Sequence, residues 1–343
     1  MSDPLCMPVP DTMAHWPWPR RINTSYEDVA AESAEWLKSF EAFSPDQQAI
    51  FDRCNIGLLA AIAYPDADKE HLRVCCDFMN ASFALDEQTD ASDPIKTQQI
   101  VQAVIDGMAH PYRPPISGEP VMGEIIRQFW RRVLEFATPQ AQAKFIDVYS
   151  RYARSLVDQS KIRDDGGVGT VEAYMLNRRL DVGTDPCYAI ADLRYGLPQE
   201  VLDHPLLQEA SACVTDLVIL DNDLASYRKE YAIGDVHNII PVVMREKGLD
   251  MARAVEWLAT EHDRIADRFC SLWKELSTLE FGSAELDDAF GAYLNNLANW
   301  PRANMCWCFE SGRYFGSDGA RVKLEGVVKL ERRLDVGQDT GSK

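Results

Sequence analysis

Apolar residues recur at three- and four-residue spacing through most of this 343-residue chain. Phe129, Val133 and Phe136 form one such series, and Ala143, Phe145, Val148 and Tyr152 form another after a Thr138-Pro139 break. That period matches one face of an α-helix and not the alternation of a strand. Breakers fall between the series at Ser44-Pro45, Tyr64-Pro65, Gly196-Leu197-Pro198 and Gly282-Ser283. No alternating strands joined by tight turns, no fixed-period repeat and no long Pro/Ser-rich linker interrupt the pattern. With 46% hydrophobic residues the chain can bury a large core. These features predict a single all-α domain of about ten or more helices. Thr24-Ser25-Tyr26-Glu27 reads as a capping box that opens the first helix, with Thr24 as cap and Glu27 reaching back. Residues 1–22, rich in Pro and Trp, read as an extended segment covering the bundle, with Trp16 and Trp18 packed upon it. Residues 23–334 form the helical domain, and the polar, Gly-containing stretch 335–343 reads as a disordered tail.

Charge narrows the class of partner. A formal charge of −19 and a pI near 4.7 argue against nucleic acid and against anionic membrane surfaces. Nine scattered cysteines without paired C-x-x-C units argue against zinc and for reduced thiols, with Cys75-Cys76 in the core. The N-terminus lacks a secretion signal and no apolar run is long enough to span a bilayer, which predicts a soluble, cytoplasmic protein. Histidines 15, 71, 110, 204, 237 and 262 show no ligand spacing and read as surface or capping residues. Asp164-Asp165-Gly166-Gly167 lacks the remaining ligands of a calcium loop and reads as a turn.

The chemistry sits in two acidic strings, Asp86-Glu87-Gln88-Thr89-Asp90 and Asn222-Asp223-Leu224-Ala225-Ser226-Tyr227-Arg228-Lys229-Glu230. Residues four apart share a helix face, so Asp86 projects with Asp90, and Asn222, Ser226 and Glu230 make a two-turn stripe. Both are rows of hard oxygen ligands, which suit Mg²⁺ and leave coordination positions for substrate phosphate. An acidic chain that takes an anionic substrate needs such ions and a few focused cations. Further along, Tyr174-Met-Leu-Asn-Arg178-Arg179-Leu-Asp181-Val182-Gly183 ends a helical stretch, and Trp307-Cys-Phe-Glu-Ser-Gly-Arg313-Tyr314 follows near the end.

Taken together these residues resemble the class I terpene synthases, specifically fungal-type sesquiterpene cyclases, over nearly the whole chain. The resemblance implies an all-α bundle with the active site in a central cavity, and an enzyme that ionises farnesyl diphosphate and cyclises the cation. It implies Asp86, Asp90, Asn222, Ser226 and Glu230 as ligands of three Mg²⁺ ions, with Mn²⁺ as a substitute. Arg178, Lys229, Arg313 and Tyr314 would bind the diphosphate, with Asp181 as linker and Val182 offering its backbone carbonyl at the break. Glu87 departs from the family's usual aspartate, which makes Glu87 and Asp90 less certain ligands than Asp86. Arg179 reads either as a surface charge or as a second phosphate contact. Phe83 and Met79, one and two turns before Asp86, and Trp307, six residues before Arg313, are candidates for a cation-stabilising wall. The implied product is a protoilludene-like or cadinane-like sesquiterpene, and the protein a monomer or homodimer. The alternatives are an isoprenyl diphosphate synthase, disfavoured because the second string is not a second aspartate-rich motif, and an inactive helical binding protein.

Overall fold

The computed structural model of the chain describes residues 5–164 and 169–331. The tail expected at 335–343, and the turn expected beyond Asp164, lie outside the described residues. Helices run in the order α1 (Tyr26–Lys38), α2 (Pro45–Arg53), α3 (Ile56–Ala63), α4 (Lys69–Asp90), α5 (Pro94–Ala109), α6 (Val121–Leu134), α7 (Pro139–Asp164) and α8 (Val171–Asp181). They continue as α9 (Thr184–Asp192), α10 (Gln199–Leu202), α11 (Pro205–Ile233), α12 (Ile239–Lys247), α13 (Met251–Leu276), α14 (Ala284–Glu310) and α15 (Gly319–Glu325). Strand β1 (Cys6–Pro8) pairs antiparallel with β2 (Val327–Lys329), so the two ends of the described chain are tied together.

Helix α11 is the axis of the bundle. From Cys213 to Tyr227 all of its residues are buried except Asn222, a pattern that marks a helix surrounded by neighbours. It packs on α13, α14 and α8, while α4 packs on α1, α3 and α6. The eight residues of α3 are all buried. Helices α4, α8 and α14 are capped by their own sequence. Asp68 accepts from His71 N at the start of α4, Thr170 from Ala173 N at α8, and Ser283 from Leu286 N at α14.

The capping box expected at Thr24 is not formed. Helix α1 begins at Tyr26, and Ser25 lies at φ −93°, ψ 9°, outside the extended backbone that lets an N-cap hydroxyl reach forward. Asn23 organises the turn instead, its Oδ1 accepting from Ser25 N. The working capping box is Ser44 with Gln47 at α2, a site that reads in sequence merely as a break. Two histidines also depart from expectation. His71 is buried with its Nε2 against Ile190 O, and His262 is fully buried 3.4 Å from Asp221. Cys75 and Cys76 are core residues.

The segment before α1 is fastened to the bundle at several points. Thr12 Oγ1 donates to Asp221 Oδ1 (2.7 Å), Trp16 Nε1 to Ala298 O (3.1 Å), and Arg302 to the carbonyls of Met13, Trp16 and Trp18. Trp16 and Trp18 rest on Phe269 and Trp273 of α13.

Candidate active site

One cavity of about 420 Å³ opens among α4, α8, α11 and α14, and every candidate site residue named from sequence except Arg179 lines it. Helix α4 contributes Met79, Phe83, Asp86 and Asp90, and α11 contributes Asn222, Ser226, Lys229 and Glu230. Arg178 and Asp181 come from the last turn of α8, and Val182 caps that helix. Gly183 follows at φ +75°, a conformation that L side chains rarely adopt, so the chain turns sharply there and presents the break to the cavity. Arg313 and Tyr314 follow the end of α14. Their loop is pinned by Gly312 N donating to Arg53 O (2.8 Å), and a Cβ at Gly312 would stand only 2.8 Å from that oxygen.

The aromatic wall is held by polar anchors at its rear. Trp307 is buried, and its indole Nε1 donates to Cys54 O (2.8 Å) and Asn55 O (3.2 Å). Phe83 meets it edge-on at 5.4 Å and Tyr314 at 5.7 Å. The Arg313 guanidinium lies over the Phe83 ring at 5.0 Å, so one face of Phe83 already serves a cation.

The cations are paired to the acidic rows. Arg313 Nη1 donates to Glu87 Oε1 (2.9 Å), and its Nη2 stands 3.7 Å from Asp86 Oδ2. Arg178 donates to Asp181 Oδ1 (2.7 Å), Asn222 Oδ1 (3.3 Å) and Asp223 Oδ1 (3.4 Å). Asn222 Nδ2 donates to the Tyr314 hydroxyl at 2.8 Å. Lys229 is exposed at the rim. Arg179 forms a two-pronged pair with Asp216 and does not line the cavity, which favours the surface-charge reading.

Burial raises the carboxyls, as expected for charge taken from water. Asp86 is pushed up to about 7, chiefly by burial and then by neighbouring Asp90, with Arg313 acting against the rise. Glu230 rises to about 7 by burial and the Asp223 charge, opposed by the Asn238 hydrogen bond. Asp181 rises to about 6 by burial, opposed by Arg178. Burial makes these groups hold their protons more tightly, so a divalent ion bound here would displace protons to solvent near neutral pH. All the donors in the two rows are oxygens, the set that hard cations such as Mg²⁺ and Mn²⁺ prefer and zinc does not. Among the described residues no three His, Cys, Asp or Glu side chains converge on one point. Ions held here would therefore complete their shells with Asn222, Ser226 and ligand oxygens.

Three functional positions escape a reading of sequence alone. Buried Asp223 accepts from Tyr174 Oη (2.6 Å) and Ile239 N (2.8 Å) while facing Arg178, and so ties α8, α11 and α12 together. Asn238 Nδ2 donates to Glu230 Oε2 (2.8 Å) and Asp223 O (2.7 Å), which fixes the last carboxylate of the triad. Asn304 lines the cavity, is 4% exposed, and its amide Nδ2 has no hydrogen-bond partner among the described residues. His237, expected at the surface, also lines the cavity. A motif scan could have flagged only Asp223, by its place inside the second string.

Comparison with known proteins agrees with this geometry. The model of terpene synthase family 2, C-terminal metal binding, matches residues 77–268. Sesquiterpene synthase 14 of Postia placenta is 44% identical over 332 residues, covering 96% of this chain and 94% of its own. Delta(6)-protoilludene synthase 18 of the same fungus is 43% identical over 322 residues (94% and 92%), and the Delta(6)-protoilludene synthase of Armillaria gallica 38% over 334 residues (97% and 96%). Among solved structures, germacradien-4-ol synthase from Streptomyces citricolor superposes with a TM-score of 0.73 at 22% identity, over 85% of this chain and 96% of that one. Hedycaryol synthase in complex with HEPES gives 0.75 at 18% identity, over 88% and 98%. The two structures establish the all-α fold, and the sequence matches establish that this chain belongs to the terpene synthase family, whose matched segment is its metal-binding part.

Proposed function

We propose that the protein is a Mg²⁺-dependent sesquiterpene synthase that ionises farnesyl diphosphate, cyclises the resulting cation and releases diphosphate. The observation that carries this reading is the cavity lined together by Asp86 and Asp90, by Asn222, Ser226 and Glu230, by Arg178, Lys229, Arg313 and Tyr314, and by Phe83 and Trp307. Asp86 and Asp90 on one side, and Asn222, Ser226 and Glu230 on another, would hold three divalent ions, which neutralise charge on the leaving diphosphate as Lewis acids. Arg178, Lys229, Arg313 and Tyr314 donate charge-assisted hydrogen bonds to its oxygens. As the allylic C–O bond breaks, its electron pair leaves with the diphosphate and the carbon chain becomes a cation. Donors aimed where that charge develops lower the barrier by several kcal/mol. Phe83, Trp307 and Met79 then enclose the cation, with each aromatic face contributing roughly 0.5–2 kcal/mol. Loss of a proton ends the sequence. The protoilludene synthases among the relatives favour a protoilludene-type product over a cadinane-type one. No described helix is long and apolar enough to cross a membrane, in keeping with a cytoplasmic place of work.

Incubating the purified protein with farnesyl diphosphate and Mg²⁺, then identifying volatiles by gas chromatography–mass spectrometry, tests the proposal. Turnover that persists in a chelator would sink the metal assignment. Chain elongation when isopentenyl diphosphate is added would redirect the reading to a prenyltransferase.

A further inference from the structure

A second cavity of about 520 Å³ abuts the catalytic one, and the two share Glu87, Lys229 and Arg313 in their walls. Its floor is apolar, built from Phe43, Phe51, Ile100 and Val121. Ile50 at its edge is 57% exposed, an unusual place for a large aliphatic side chain. The rim is cationic. Arg53 and Lys96 are exposed, line the groove, and have no acidic partner among the described residues, as is also true of Lys229. The only carboxylate in the lining is Glu87, and Arg313 already neutralises it at 2.9 Å. On a chain of net charge −19 this is a local reversal of sign. The backbone joins the two cavities as well, since Arg53 O is the acceptor that pins the loop carrying Arg313.

An apolar trough lined also by unpaired cations, and sharing walls with the proposed diphosphate site, suits an amphiphile with an anionic head and a hydrocarbon tail. We propose that this groove is a docking site for the prenyl diphosphate substrate before it enters the catalytic cavity. The head rests on Arg53 and Lys96, the chain lies along the Phe43–Phe51 floor, and Lys229 and Arg313, common to both cavities, receive the head as it passes inward. This inference rests on the proposed substrate class. Its physical role is capture: an acidic protein repels its anionic substrate everywhere but at a focused positive mouth, and such focusing raises association rates by about 10–10³-fold.

Steady-state kinetics with farnesyl diphosphate at low and high ionic strength test it. R53E/K96E is expected to lower kcat/KM about tenfold at low salt while kcat and product profile hold. The wild-type protein's kcat/KM should fall as salt screens the mouth, and the variant's should stay flat. R253E/R264E, on the far surface of α13, makes the same change in net charge at exposed positions and is expected to leave kcat/KM near the wild-type value. The proposal is overturned if R53E/K96E keeps the wild-type kcat/KM and salt slope, or if the α13 control loses as much. It is equally overturned if kcat falls in step with kcat/KM. Wild-type protein inert toward farnesyl diphosphate would instead remove the function reading beneath it. Vesicles of phosphatidylserine that pellet wild-type protein but not R53E/K96E, with kcat/KM unchanged, would assign the groove to a membrane surface and overturn substrate docking.

Discussion

Asp86→Asn should stabilise the metal-free protein while abolishing turnover. A carboxyl whose folded value lies above its unfolded one is penalised in the folded state when ionised. The penalty is absent below about pH 3.8, grows as pH rises, and is complete above about 7. A rise from 3.8 to about 7 corresponds to about 4 kcal/mol at 1.36 kcal/mol per pH unit. The side chain keeps 32% of its surface open to the cavity, so screening reduces the expected gain to about 1–2 kcal/mol. Asparagine is isosteric and carries no charge to bury. Its one loss, the 3.7 Å contact with Arg313, leaves that guanidinium still paired to Glu87 at 2.9 Å. For a chain of 343 residues the gain amounts to about 1–3 °C in melting temperature. Thermal unfolding in chelator should therefore show the variant ahead at pH 8, with its lead shrinking toward pH 5. Added Mg²⁺ should raise the wild-type midpoint and leave the variant's nearly unchanged. A variant no more stable than wild type at pH 8, or a lead that ignores pH, would refute the reasoning.

Other sites give sharper kinetic contrasts. Asn238→Leu removes the hydrogen bond that holds Glu230; a contact to a charged group worth about 1.5–3 kcal/mol should raise the Mg²⁺ concentration for half-maximal rate about tenfold or more. Arg178→Ala and Arg313→Ala should cut diphosphate release by orders of magnitude, whereas Arg179→Ala, paired to Asp216 outside the cavity, should retain most of the rate. Trp307→Leu and Phe83→Leu should redistribute volatile products more than they slow diphosphate release, because tenfold in partitioning needs only about 1.4 kcal/mol. Asn304→Leu, near in volume but without the unpartnered amide, should also shift the chromatogram, and an unchanged profile would make Asn304 a packing residue.

Much of the site is legible in sequence because its ligands obey a local rule. Asp86 and Asp90, and Asn222, Ser226 and Glu230, sit four apart on single helices, so helical period alone aligns them. Arg178 with Asp181 is local in the same sense. What escapes is whatever depends on pairing between elements. Nothing near Asn238 in the chain signals that it will grip Glu230, and Asp223 reads as one more acid until Tyr174, Arg178 and Ile239 close around it. Thr24 fails for a related reason. Its string satisfies the capping pattern, yet Asn23, held by the carbonyls of Tyr64 and Ala67, sets the path of the turn. His71, His237 and His262 depart from expectation because burial is a tertiary property that ligand spacing does not report.

The arrangement of charge also couples the acidic rows to the cations of the site. Among the described residues, each cation proposed to bind diphosphate except Lys229 is occupied: Arg313 by Glu87 and Asp86, Arg178 by Asp181, Asn222 and Asp223. Tyr314 is engaged with Asn222 in the same way. These contacts compensate charges that would otherwise be buried alone, at a cost of several kcal/mol each. They also make the two halves of the site compete. Arg313 directs one terminal nitrogen at Glu87 and the other toward Asp86, and Arg178 is shared among Asp181, Asn222 and Asp223, so under the proposed function a diphosphate and the acidic rows would draw on the same guanidinium donors. Divalent ions, which those oxygens suit, would relieve that competition. Thermodynamic linkage then makes the dependence mutual, so whatever tightens one ligand tightens the other by the same factor. Under the proposed function a synthase wired this way would ionise a substrate poorly without its metals, and the wiring lies in contacts that join α4, α8 and α11 to the loop after α14.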